Sequence, residues 1–76
     1  MARRQLSDVH AGQVWRDRDK RMLSGNRRVL VMRVVGNGDV AHVYYRSAVG
    51  IANDPMGSEY RSVYERFQRG FDLVKG

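Results

Sequence analysis

The sequence contains no cysteine, one proline and one tryptophan. Without cysteine there is no disulfide framework, no thiol nucleophile and no thiolate zinc site. No stretch approaches the roughly 18 consecutive apolar residues of a membrane-crossing helix. Histidine is scarce too: His10 and His42 stand 32 positions apart. A zinc or catalytic centre needs three or four convergent ligands, or a nucleophile beside its base. Neither histidine has such company along the chain. Nucleophile motifs of the G-x-S-x-G type and phosphate loops of the G-x-x-x-x-G-K-[ST] type are missing. Gly36-Asn37-Gly38 reads as a turn, because no helix pattern follows it to cradle a phosphate. In 76 residues there is little room for both a core and a deep pocket. The expectation is one domain, not an enzyme, with no cofactor and no metal.

Acidic residues are few. Asp and Glu total 8 against 14 Lys and Arg, a formal net charge of +6. The imbalance is local. Residues 1–33 hold nine bases, Arg3, Arg4, Arg16, Arg18, Lys20, Arg21, Arg27, Arg28 and Arg33, against Asp8, Asp17 and Asp19. Residues 34–76 hold five of each sign. Such asymmetry points to an anionic partner more than to general solubility. Twelve of the fourteen bases are arginine, whose planar fork grips phosphate and stacks on rings. The same bias also follows from a GC-rich genome. Met1-Ala2-Arg3-Arg4 opens like a signal peptide, but the polar QLSDVHAGQ follows instead of an apolar segment. The expectation is a cytoplasmic protein with a flexible basic arm over 1–10 and a single small β domain over 11–76.

Valine dominates the apolar set, with 11 Val against 4 Leu and 1 Ile, and β-branched residues favour strands. Residues 12–16 read as a first short strand. Residues 27–35 read as the clearest one, with Leu30, Met32 and Val34 on one face and Val29, Val31 and Val35 on the other. Asn37-Gly38 is a strong hairpin signal, and 40–46 returns as the partner strand. Residues 47–58 are turn-rich and predict a long loop. Residues 70–75 read as a last strand. Between them, Tyr60, Val63, Tyr64 and Phe67 have helical spacing, whereas Tyr60, Ser62 and Tyr64 would share one face of a strand.

The order of these segments resembles a group of small uncharacterised phage and bacterial proteins. Its members carry a G-x-x-W-x-D-x-D-x-R start, an Arg-Phe pair and a closing Gly-aromatic-x-Leu-Val. The matching residues are Gly12, Trp15, Asp17, Asp19 and Arg21, then Arg66, Phe67, Gly70, Phe71, Leu73 and Val74. The order is also similar to an SH3-like small barrel of about five strands. That resemblance implies a mainly β fold, a long charged loop over 17–26, a strand over 59–64 and a 3₁₀ turn over 65–70. The alternative is an α+β fold with a helix over 58–69 on a curled antiparallel sheet.

Asp17-x-Asp19 is a possible cation-binding pair, but each aspartate has basic neighbours and no further oxygen ligand follows at calcium-loop spacing. Pairing with Arg16, Arg18 or Arg21 is the simpler reading. The aromatics nearest the basic segment are Trp15, Tyr44 and Tyr45. A lone tryptophan in so small a domain belongs in the core. Tyr44 and Tyr45 must point to opposite faces, so one is free to stack on a base. The resulting expectation is a nucleic-acid-binding module for DNA or RNA. Arg16, Arg18, Lys20, Arg21, Arg27, Arg28 and Arg33 would contact phosphates, Tyr44 or Tyr45 a base, and Arg3 and Arg4 would trail as an arm. The alternative is a phage-encoded inhibitor or regulator that binds a host or bacterial-defence protein, through an acidic partner surface or through the loop 47–58 with Ile51 and Met56.

Overall fold

A computed structural model describes residues 8–19, 21, 27–37 and 40–76. Five strands form one antiparallel sheet: β1 (Val14–Asp17), β2 (Arg28–Val35), β3 (His42–Val49), β4 (Asp54–Val63) and β5 (Phe71–Lys75). One helix, α1 (Tyr64–Gly70), joins β4 to β5. The strand order is β4-β3-β2-β1-β5. The fold is mainly β, as the valine-rich pattern predicts, with one short helix between the fourth and fifth strands.

The core lies on one face of the curled sheet. Trp15, Val29, Val31, Val43 and Phe67 are the largest fully buried side chains, and Val9 joins them. Tyr45, Tyr64, Phe71 and Val34 pack against this cluster. The inward face of β2 changes parity along the strand. Val29 and Val31 point in, a bulge follows at Met32, and Val34 then takes the inward position. An extra residue on one strand shifts all later side chains by one. Two apolar faces in the sequence are therefore one face interrupted by a bulge.

Phe67 is the centre of this core. It meets Trp15 edge-on at 5.3 Å and stacks on Phe71 at 4.4 Å. The helix that carries it is shorter than the 58–69 pattern and is not a 3₁₀ turn. Tyr60 and Val63 belong to β4, and the backbone at Val63 is still extended. The N–H of Tyr64 then donates to the Ala41 carbonyl (3.0 Å). Glu65 in the first turn and Arg69 in the last form an i,i+4 pair at 2.8 Å, in the orientation the helix dipole favours.

Residues 47–58 are not a loop. β3 runs on to Val49, a turn over 50–53 follows, and β4 begins at Asp54. Gly50 and Asn53 adopt positive φ there (74° and 56°). β4 is an edge strand, where Pro55 is tolerated because one side of the backbone needs no ladder partner. The last pair of the central hairpin is Val35↔His42, and Gly38 of the expected Asn-Gly turn lies outside the described residues. Gly36 (φ 93°) is required: a Cβ there would meet the Val40 carbonyl oxygen at 2.9 Å.

Residues 8–10, expected at the end of an arm, pack on the core. Val9 is buried and its N–H donates to Tyr64 Oη (2.8 Å). Gln13 Oε1 accepts from the His10 N–H (2.6 Å) and from Trp15 Nε1 (3.1 Å). A buried glutamine thus satisfies the tryptophan and ties the segment down. Arg3, Arg4 and Lys20 lie outside the described residues.

Candidate nucleic-acid interface

Strand register sorts the arginines into two groups. On the outer face of the sheet, Arg33 (β2) lies opposite Tyr44 (β3), which lies opposite Arg61 (β4). Side chains paired across strands share a face, and neighbouring strands are about 4.8 Å apart. Arg33 and Arg61 therefore flank Tyr44, with roots about 9–10 Å apart. The Arg33 guanidinium sits over the Tyr44 ring, 4.3 Å from its centroid, and also reaches Glu59 at 3.2 Å.

The same face continues along the strands. Arg46, two residues from Tyr44, pairs with Leu30, while Arg28 lies opposite Arg16 on β1. Five arginines (16, 28, 33, 46 and 61) thus share one face with two carboxylates, Glu59 and Asp72. Arg16 and Arg61 have no ion pair or hydrogen bond among the described residues. Arg46 Nε is buried without a hydrogen-bond partner, a state that ordinarily costs about 1–3 kcal/mol. Arg28 has a second task, donating to the Gly50 carbonyl (3.2 Å) and to Asn53 Oδ1 (2.5 Å) to hold the β3–β4 turn. At that end of the face lies a cleft of about 310 Å³, floored by Val14 and Leu30 and walled by Asn53, Pro55 and Lys75.

The remaining predicted residues lie elsewhere. Arg27 is held by Asp17 at 3.2 Å, with side chains only 18% and 12% exposed, and rests near the Tyr60 ring. It is a positioned structural ion pair, not an open phosphate contact. Arg18 donates to the Arg69 carbonyl (3.0 Å) and faces Asp72 at 3.7 Å, closing the end of α1 against β1. Arg21 is exposed and pairs with Asp19. The hydrogen bonds from Arg21 hold the Asp19 carboxyl below its ordinary range and raise Arg21 in turn. Asp17 and Asp19 are therefore both engaged by arginines, the first by Arg27, which the sequence reading had not paired with it.

Tyr45 points inward. It touches Phe67 and Phe71 at 5.2 and 5.6 Å, and burial pushes its hydroxyl above the ordinary 10.0. Of the pair, Tyr44 is the one that reaches the outer face. Trp15 is core, as expected. Arg46 and Arg61 were missed because they lie in the charge-balanced half of the chain. Strand parity would have found them: His42, Tyr44 and Arg46 alternate, as do Glu59 and Arg61. His42 Nδ1 donates to the Val40 carbonyl at 3.0 Å. Among the described residues there is no cluster of three metal-ligating side chains, and no helix is long and apolar enough to cross a membrane.

No protein-family model, curated protein or solved structure matches this chain.

Proposed function

We propose that the protein is a non-enzymatic nucleic-acid-binding module that uses the outer face of its sheet. The observation that carries this reading is the row Arg33–Tyr44–Arg61, extended by Arg16, Arg28 and Arg46 on the same face. Arginines spaced across strands meet a phosphate backbone with charge-assisted, bidentate hydrogen bonds. A tyrosine among them offers a ring on which a base stacks. The chemistry is sequence-tolerant and suits single strands, whose bases are free to leave their own stack.

Fluorescence anisotropy with labelled single- and double-stranded DNA and RNA tests this. Five phosphate contacts predict that single-strand affinity falls about a hundredfold between 50 and 200 mM salt. Binding absent at low salt, or unchanged across that range, refutes it.

A second reading is favoured by a separate feature. Ile51 is fully exposed at the tip of the β3–β4 turn and Met56 is 62% exposed on β4. Exposed apolar residues at a loop tip suit contact with a protein surface, as for an inhibitor of a host or bacterial-defence protein. A pull-down with nuclease added distinguishes the two, since a protein partner survives the nuclease.

A further inference from the structure

We infer that the protein pairs with a second copy of itself through the open edge of β4, in an antiparallel register centred on Tyr60. This inference rests on the strand edge and not on the nucleic-acid reading, although Arg61 and Glu59 belong to both.

β4 ends the sheet, so one side of its backbone has no strand neighbour. At ten residues it is also the longest strand, and nearly all of its side chains are exposed. A long, unprotected edge is a template for another strand. Proteins usually blunt such an edge with inward charges, bulges or several prolines. Here Pro55 and the irregularity between Met56 and Tyr60, with Gly57 at φ 83°, leave the last four residues uninterrupted. From Tyr60 to Val63 the register with β3 is continuous, and the strand stops where α1 begins.

The charges within that stretch choose the occupant and the register. A two-fold axis normal to the sheet keeps outer side chains opposite outer side chains. An axis at Glu59 would set two glutamates face to face, and one at Arg61 two arginines. The axis at Tyr60 sets Glu59 opposite Arg61 of the second copy, twice. It also places Ser58 opposite Ser62 and ring beside ring at Tyr60, which is 46% exposed. The paired segment then runs from Gly57 at the bulge to Val63 before α1. Cross-strand pairs of opposite charge stabilise a sheet, and like charges directly opposite destabilise it.

Sedimentation equilibrium of the full chain, over micromolar to millimolar concentrations, is the first test. A dimer of twice the 8.8 kDa chain mass is expected; a monomer throughout overturns the inference. The register is tested with Glu59→Arg and Arg61→Glu, made separately and checked for native circular dichroism. Each alone places like charges opposite and should weaken self-association about tenfold. Mixed in equal amounts, the two variants present opposite charges to each other and should form a heterodimer near wild-type strength. Single variants that dimerise as well as wild type, or a mixture that fails to recover, overturn the register and with it the proposal.

Discussion

The two faces of this sheet use the same residue types to opposite ends. On the inner side, Arg27 is matched by Asp17 and covered, and Tyr45 is packed among phenylalanines. One residue away in sequence, Arg28 and Tyr44 reach the outer face, where arginines outnumber carboxylates. Identity therefore says little about role in so small a domain; strand parity says much more. Among the described residues the outer face leaves Arg16 and Arg61 without a partner, whereas the inner face matches Arg27 within the fold.

The largest effect that sharpens this contrast belongs to the inner face. Phe67→Ala should cost about 3–5 kcal/mol of stability, because Phe67 is fully buried between Trp15, Tyr45 and Phe71. Urea unfolding followed by the fluorescence of Trp15 measures it. A loss under about 1 kcal/mol would mean that the core is not organised around this ring.

Arg27→Ala comes next. It leaves Asp17 largely buried without its partner and should cost about 2 kcal/mol, reduced from a fully buried pair by residual solvent. In folded protein its affinity for nucleic acid should match wild type. A large loss of binding at unchanged stability would break the division between the faces.

The fold was legible where side chains alternate against a core. Valines 29, 31 and 43 announced the central hairpin, and the Tyr44-Tyr45 pair announced its own split. The β3–β4 hairpin was hidden because β4 is an exposed edge, and an edge strand needs no alternating apolar residues. Asp54, Pro55 and Gly57 read locally as a loop, and only pairing with β3 makes them strand. The candidate site was half legible. Charge counting found Arg16, Arg28 and Arg33 but weighed Arg27 and Arg18 equally, because counting along the chain ignores what each residue already binds. The anchoring of Val9 through Gln13 and Tyr64 carried no local signal, since it joins residues 55 positions apart.

A smaller effect is expected at Tyr44. Tyr44→Ala should leave stability within about 0.5 kcal/mol and weaken single-strand binding by about 1–2 kcal/mol, since Arg33 already covers one face of the ring. Anisotropy at 50 mM salt reads the second quantity and urea unfolding the first. Equal binding would remove stacking from the account.

The smallest effect is a pH dependence from the inner face. Burial raises the Tyr45 hydroxyl above its ordinary 10.0. The unfolded chain therefore loses this proton first, so the contribution is intact below about pH 10 and declines as pH rises through the folded value. Tyr45→Phe should flatten that alkaline decline in thermal unfolding; an unchanged decline would assign it to another group.

The most direct test of the division is a titration of isotopically labelled protein with a short single-stranded oligonucleotide, followed by amide and arginine side-chain NMR shifts. The account predicts that Arg16, Arg28, Arg33, Tyr44, Arg46 and Arg61 move together while Asp17, Arg27, Tyr45 and Phe67 stay in place. Shifts confined to Arg27, Arg18 and Arg21, or to Ile51 and Met56, would contradict it.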